Sequence, residues 1–275
     1  MDQGDGALRR PRLVASDLDG TLLDAHGAIT ERTARAWAAL GAAGIESVLV
    51  TARPPRWVDH LAALTGEHGI VICANGAFVY DVARRRILTD HGMPGALALT
   101  LMRDLRAEVE DIVFSVELAG GFRREDGYPP STPAGVPTSA LDEAVGPLAE
   151  LREPVGKILA RSADLHREEF HRRVVAVLGD RATLATSCSD GLAEISPVGV
   201  TKAAALAAWT ERSGIAAQDV WAFGDMPNDI PMLRWAGTGW AVANADESVH
   251  ALADRVTAAN TEDGVACAIE AMLAG

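Results

Sequence analysis

The chain has 275 residues, 48% hydrophobic and 23% charged, which is ordinary for a globular protein of one or two domains with a sizeable core. Its 25 basic against 38 acidic residues leave a net charge of −13, with no basic stripe to offset the acid. That balance argues against a nucleic-acid partner and against adhesion to an anionic membrane, but not against phosphorylated small molecules, because a metal and one or two local cations can reverse the field inside a cleft.

Strand and helix signals alternate from the start. "RLVAS" is a short apolar strand, and "TERTARAWAALGAAG" is a helix with Thr30 as its N-cap. "IESVLVT" is the next strand, "PPRWVDHLAALTG" a helix with proline in its first turn, and "GIVICANG" a third strand. Such alternation predicts βαβ units and a parallel sheet covered by helices.

From about Phe78 the texture changes. "AFVYDVARRRIL" predicts a hairpin, "PGALALTLMRDLRAEV" a helix and "DIVFSVELAG" a longer strand, followed by a Gly/Pro/Ser/Thr-rich loop from Gly120 to about Ser139. A helix, the strand "VGKILARS", the helix "DLHREEFHRRVVAVLG" and the strands "RATLATS" and "GLAEIS" come next. The first pattern then resumes with "TKAAALAAWTERSG" (helix), "DVWAFGD" (strand), "NDIPMLRWAG" (helix), "GWAVANA" (strand), "ESVHALADR" (helix), "VTAAN" (strand) and a final helix. The expected architecture is α/β: a doubly wound, Rossmann-like parallel-sheet core over residues 1–81 and 190–275, with an α+β block inserted over 82–189. The crevice between them is the default place for a site.

Cys73, Cys188 and Cys267 are odd in number and far apart, so they read as small core residues in a reducing compartment and not as a disulfide frame or zinc site. No stretch of signal-peptide character opens the chain, and no run of about 18 apolar residues occurs. The expected location is the cytoplasm, with residues 1 to about 10 a frayed tail.

Three core strands end in polar punctuation, "VAS-DLDGT", "VLV-TAR" and "WAF-GDMPND". In an open parallel sheet, ligands bind outside the carboxyl ends of the strands, so these endings can converge on one spot. Asp17 and Asp19 lie two apart, so in extended chain both carboxylates face the crevice while Leu18 turns to the core. Asp225 and Asp229 bring the carboxylates to four, and a hard divalent cation is the usual remedy for their repulsion. Oxygen donors with no His or Cys nearby favour Mg²⁺ over zinc. Thr51 ends a strand before a helix start, where its hydroxyl and the local N–H groups suit phosphate oxygens. Lys202 sits just inside a helix N-terminus, a poor place for a cation unless an anion lies beside it. The six tryptophans read as packing residues, with Trp57 and Trp240 near enough to a crevice to touch ligand. "ARRR" (Ala83 to Arg86) reads as a solvated hairpin turn.

Taken together, "DLDGTL" (Asp17 to Leu22), Thr51, Lys202 and "GDMPND" (Gly224 to Asp229) resemble the four motifs of the haloacid-dehalogenase (HAD) superfamily, and the placement of the insertion resembles its Cof-type, subfamily IIB branch. "ICANGA", "EISPVGVTKAAAL" and "AVANA…ADRVTAANTEDGVA" are similar to that branch too; "TAR" stands where "TGR" is commoner and "TKA" where "SKG" is commoner. The resemblance covers the core and is weak in the insertion. It implies that Asp17 is the nucleophile and Asp19 the acid and base. It implies Mg²⁺ held by Asp17, the backbone carbonyl of Asp19, and Asp225, with Asp229 and Asn228 in support. Leu18, Gly20, Thr51, Ala52, Arg53, Lys202 and Asn228 would surround the phosphoryl group, and the insertion would be a cap that sets specificity, with Arg123, Arg124 and the Pro-rich loop as its candidate contacts.

The expected activity is a Mg²⁺-dependent phosphatase acting on a small phosphorylated metabolite, a sugar phosphate first, through an aspartyl-phosphate. The expected state is a monomer or weak homodimer. A phosphomutase on the same fold, and a signalling module switched by aspartate phosphorylation, are the alternatives; the acid at Asp19 and the large insertion speak against the second.

Overall fold

A computed structural model describes residues 9–65, 69–130, 134–137, 143–185 and 191–275. The first strand, β1 (Leu13–Ser16), is buried along its whole length, with Leu13 and Ala15 packed on one side of the sheet and Val14 on the other. A strand covered on both faces needs this continuous apolar run in place of alternation. It is followed by α1 (Glu31–Ala42), β2 (Glu46–Val50), β3 (Ile70–Cys73), β4 (Phe78–Asp81) and β5 (Arg86–Asp90). Next come α2 (Gly95–Glu108), β6 (Val113–Leu118), β7 (Gly121–Arg124), β8 (Glu143–Val145), β9 (Val155–Arg161), α3 (Arg167–Leu178), β10 (Ala182–Ala185) and β11 (Ala193–Pro197). The last part holds α4 (Lys202–Arg212), β12 (Val220–Gly224), α5 (Ile230–Trp235), β13 (Thr238–Val242), α6 (Glu247–His250), β14 (Arg255–Thr257) and α7 (Gly264–Ala274).

The larger sheet runs β14-β13-β12-β1-β2-β3-β4-β5, parallel from β14 to β3 and antiparallel for the last two strands. α1 and α7 cover one face through Trp37, Leu40, Val265 and Ile269, and α4, α5 and α6 cover the other through Leu206, Met232, Leu233 and Val249. This is the doubly wound α/β core expected from the sequence. The smaller sheet runs β10-β11-β9-β6-β7-β8, with α2 and α3 packed on one face around Leu101, Phe114 and Phe170. Its other face turns toward the core. Among the described residues no helix is long and apolar enough to cross a membrane.

Four local expectations are corrected. The bounds 82 and 189 do not follow the sheets: β5 pairs with β4 in the larger sheet, and β11 pairs with β9 and β10 in the smaller one. A tight hairpin extends the sheet its first strand belongs to, so the chain leaves the core only after Asp90 and returns after Pro197. The helix expected from Pro54 is a pair of 3₁₀ turns, Pro55–Trp57 and Asp59–Leu64. Pro54 and Pro55 contribute no N–H donors there, while Asp59 is drawn to the Tyr80 hydroxyl (2.7 Å) and Arg56 to Glu117. Part of the loop expected from Gly120 is strand β7, paired with β6 from Leu118↔Gly121 to Ser115↔Arg124. The helix expected before β9 is absent from the described residues, where β8 and Gly146–Pro147 stand instead. The expected tail up to residue 8, Cys188, and residues 131–133 and 138–142 of that region lie outside the described residues.

The turn after β3 brings the core's backbone close to the helix that begins with Lys202. Gly76 has φ +104, and a Cβ there would lie 2.4 Å from the carbonyl oxygen of Thr201, the N-cap of α4. Gly76→Ala is therefore expected to cost about 1–3 kcal/mol in urea unfolding. A loss below about 0.5 kcal/mol, the range of a neutral surface change, would contradict this packing.

Candidate active site

β1 and β12 are neighbours in the sheet, and the chain winds outward from them in opposite directions, to β2 and β3 on one side and β13 and β14 on the other. Their carboxyl ends therefore open at a topological switch point. Asp17 directly follows β1, its N–H bonded to the carbonyl of Phe223 at 3.0 Å, and Asp225 directly follows β12. Asp17, Asp225 and Asp229 place carboxylate oxygens within 4.8 Å of one another, all buried. Lys202, at the start of α4, reaches into the same point: its Nζ donates to Asp17 Oδ1 at 2.6 Å and to Asp229 Oδ1 at 2.7 Å. The cation that looked misplaced at a helix N-terminus has its anions beside it.

Three carboxylates against one ammonium leave the pocket short of positive charge. Burial first, then the neighbouring Asp229 and Asp225, hold the Asp17 carboxyl well above its ordinary range, although Lys202 pulls it down. Burial and Asp229 likewise push Asp225 up to about 6. Burial alone would lower Lys202, but Asp17 and Asp229 outweigh it and hold the ammonium above its ordinary value. A donor set of clustered carboxylate oxygens with surplus negative charge fits a hard divalent cation. Within it, Asp229 is the most committed member, since its Oδ2 accepts from the N–H groups of Asp225 and Met226 at 3.1 Å each. Asp225 is held by the Thr21 hydroxyl at 2.7 Å and packs against the bare Cα of Gly20, whose φ of +80 and missing Cβ (2.3 Å from Asp225 Oδ2 if built) make room for it.

Leu18 is fully buried in the core, as expected between two polar neighbours. The Asp19 carboxylate stands apart from the cluster: Arg53 grips it with two bonds, Nε at 2.7 Å and Nη2 at 2.6 Å. Arg53 is itself buried, and its Nη1 has no hydrogen-bond partner. Thr51 is buried at the end of β2, its hydroxyl accepting from the Arg53 N–H at 3.0 Å. The carbonyl of Ala52 accepts from Lys157, and the Nδ2 of Asn228 donates to Asn75 at 3.1 Å. Trp240 stacks on Phe223 inside the core, with ring centroids 5.7 Å apart. Trp57 lies at the seam between core and insertion under the guanidinium of Arg56, 4.7 Å from the ring centre. Arg123 and Arg124 bond within the insertion, to the carbonyls of Glu150 (2.9 Å) and Tyr128 (3.0 Å).

Residues that sequence reasoning passed over also converge here: Thr21 on Asp225, Asn244 on the Gly20 carbonyl at 2.8 Å, and the buried trio Asn75, Lys157 and Glu194. Thr21, Asn75, Glu194 and Asn244 each stand inside a string that resembles the family, although no role was read for them, while Lys157 carried no such signal.

Residues 14–269 match the family model described as haloacid dehalogenase-like hydrolase, and the chain belongs to that family. Within it the chain falls with the Cof-type phosphatases. It is 30% identical over 264 residues to pyridoxal phosphate phosphatase YbhA of Escherichia coli (strain K12), covering 93% of this chain and 96% of that protein. It is also 30% identical over 264 residues to 5-amino-6-(5-phospho-D-ribitylamino)uracil phosphatase YcsE of Bacillus subtilis (strain 168), covering 94% of each. A solved subclass IIB sugar phosphatase, BT4131, shares the fold with a TM-score of 0.79 at 22% identity, covering 94% of this chain and 98% of that one.

The raised Asp225 carboxyl has a thermodynamic consequence. It binds its proton more tightly folded than unfolded, so its contribution to stability is present below the ordinary value of 3.8 and is lost as pH rises toward about 6. Metal-free protein should therefore lose stability across that window. Added Mg²⁺ should raise Tm more at pH 7.5 than at pH 5, because at the lower pH it competes with the proton. Equal shifts at both pH values, measured by calorimetry, would contradict the cation site.

Proposed function

We propose that the protein is a Mg²⁺-dependent phosphatase that removes the phosphoryl group of a small metabolite through an aspartyl-phosphate on Asp17. The observation that carries this reading is the Lys202 ammonium, buried between Asp17 and Asp229 at the ends of adjacent strands. A carboxylate fixed this way cannot drift from its line of attack, and the cluster's surplus negative charge is relieved by a cation, which then attracts the phosphoryl oxygens. Mg²⁺, held by Asp17, Asp225 and the Asp19 carbonyl with Asp229 and Asn228 in support, would neutralise charge on the transferring phosphoryl oxygens.

In the first half-reaction an Asp17 carboxylate oxygen attacks phosphorus, the bond to the leaving oxygen breaks, and Asp19 gives that oxygen its proton. In the second, Asp19 takes a proton from water, the water oxygen attacks phosphorus, and the bond to Asp17 breaks to release phosphate. One residue serves both proton transfers because the two steps mirror each other. Arg53 orients Asp19 through its two parallel bonds. Thr51, Lys202 and the backbone N–H groups from Leu18 to Gly20 and at Ala52 and Arg53 are assigned to the phosphoryl oxygens. The insertion, seated over this crevice, is assigned the exclusion of bulk water and the choice of leaving group.

The relatives named for pyridoxal phosphate and for a phosphoribityl-aminouracil support a small phosphorylated metabolite as the substrate class. Sugar phosphates are the first group to test. The experiment is phosphate release across a panel of phosphorylated metabolites with Mg²⁺. Wild type is expected to turn over at least one, Asp17→Asn none, and Asp19→Asn about 10²–10⁴-fold more slowly than wild type. Equal release by wild type and Asp17→Asn would overturn the proposal, and a requirement for an activating bisphosphate would make the protein a mutase.

A further inference from the structure

A second buried polar cluster lies where the smaller sheet meets the core. Lys157 on β9 and Glu194 on β11 occupy the face of that sheet turned away from its helices, since Ile158, Ala193 and Ile195 fill the helix-covered side. The two are only 3% and 4% exposed, and Lys157 Nζ donates to Glu194 Oε1 at 3.0 Å. Both also reach across the seam. Lys157 Nζ donates to the carbonyl of Ala52 at 2.9 Å, next to Thr51. Glu194 Oε2 accepts from Asn75 Nδ2 at 2.9 Å, and Asn75 Oδ1 accepts from Asn228 Nδ2 at 3.1 Å.

This chain of bonds has a direction. An ionised carboxylate only accepts, so Asn75 must present its NH₂ to Glu194 and its carbonyl to Asn228. Asn228 must then answer with its own NH₂, which leaves its Oδ1 buried and without a partner on the turn between Asp225 and Asp229. Asn75 itself sits in a tight turn, its backbone at φ +57 directly after Ala74 at φ +50. An unpaired buried acceptor is costly unless a donor arrives to use it.

We propose that Lys157 and Glu194 are positioning residues for the phosphoryl-transfer reaction: seated by the insertion, they fix the amide orientation of Asn75 and Asn228 and the Ala52 carbonyl, so that the Asn228 Oδ1 is kept as an acceptor for a donor at the reaction site. The proposal rests on the phosphatase reading above. Neither residue touches phosphorus; they act through Asn75, Asn228 and the Thr51 turn. A cation left buried alone would confound a single deletion, so the pair is removed together.

The test compares wild type with two double variants, Lys157→Met/Glu194→Gln and Lys157→Met/Glu194→Met, using para-nitrophenyl phosphate with Mg²⁺ and, separately, the side-chain amide signals of Asn75 and Asn228 by NMR. Wild type should show both amides protected from solvent exchange, and both variants should lose that protection. kcat should fall about 10–100-fold in each variant with KM changed less than about threefold, the range seen when groups behind a reactive centre are removed. Lys157→Met/Glu194→Gln keeps size and burial, and its amide, unlike a carboxylate, can donate as well as accept and so no longer fixes the direction; it decides the matter if the Met/Met variant fails to fold. Folded variants with unchanged kcat, or amides that stay protected without Glu194, would overturn the proposal. Protected amides in a wild type without phosphatase activity would instead overturn the reading on which it rests.

Discussion

Three carboxylates share one buried point, and the rest of the molecule is arranged around making that tolerable. Asp17, Asp225 and Asp229 meet because β1 and β12 are adjacent and end together. Lys202 comes from α4, far along the chain, and its ammonium is the only fixed positive charge that bonds to the cluster among the described residues. Removing one partner from such a buried arrangement costs about 3–5 kcal/mol, since it strands a charge in low dielectric. The same surplus of negative charge that makes the cluster poor as a structural device makes it a good receptor for a cation. Stability and chemistry draw on one electrostatic deficit.

The seam between core and insertion repeats this logic with better balance. Lys157 pairs with Glu194, and Arg56 pairs with Glu117 while lying between the rings of Trp57 and Phe122, 4.7 and 4.5 Å from their centres. Buried pairs of this kind add little net stability over apolar contacts, but they demand one geometry. Two such pairs on one seam, together with the close approach of Gly27 to the backbone of Ala134 and Gly135, hold the smaller sheet in register on the crevice.

Much of this was legible in the sequence. The strand endings at Asp17, Thr51 and Asp225 carried the site because a parallel sheet must gather its carboxyl ends, and the odd location of Lys202 carried its partner requirement. What was hidden depends on contacts between distant segments. Pro54 and Pro55 looked like a helix start, yet Tyr80 and Glu117 drew that segment into tight turns. The hairpin at Tyr80 looked like the start of the insertion because sheet membership has no local signature. Lys157 and Glu194 sit in ordinary strand patterns, and only the docking of one sheet on another reveals that both are buried.

The most direct test of the account is to quench the enzyme in acid during turnover of a phosphate ester and locate the phosphoryl group by peptide mass spectrometry. The account predicts an acyl phosphate on Asp17, in the peptide that joins β1 to the Gly20 turn, and none in Asp17→Asn. A phosphoryl group on another side chain, or full turnover by protein that carries none, would contradict it.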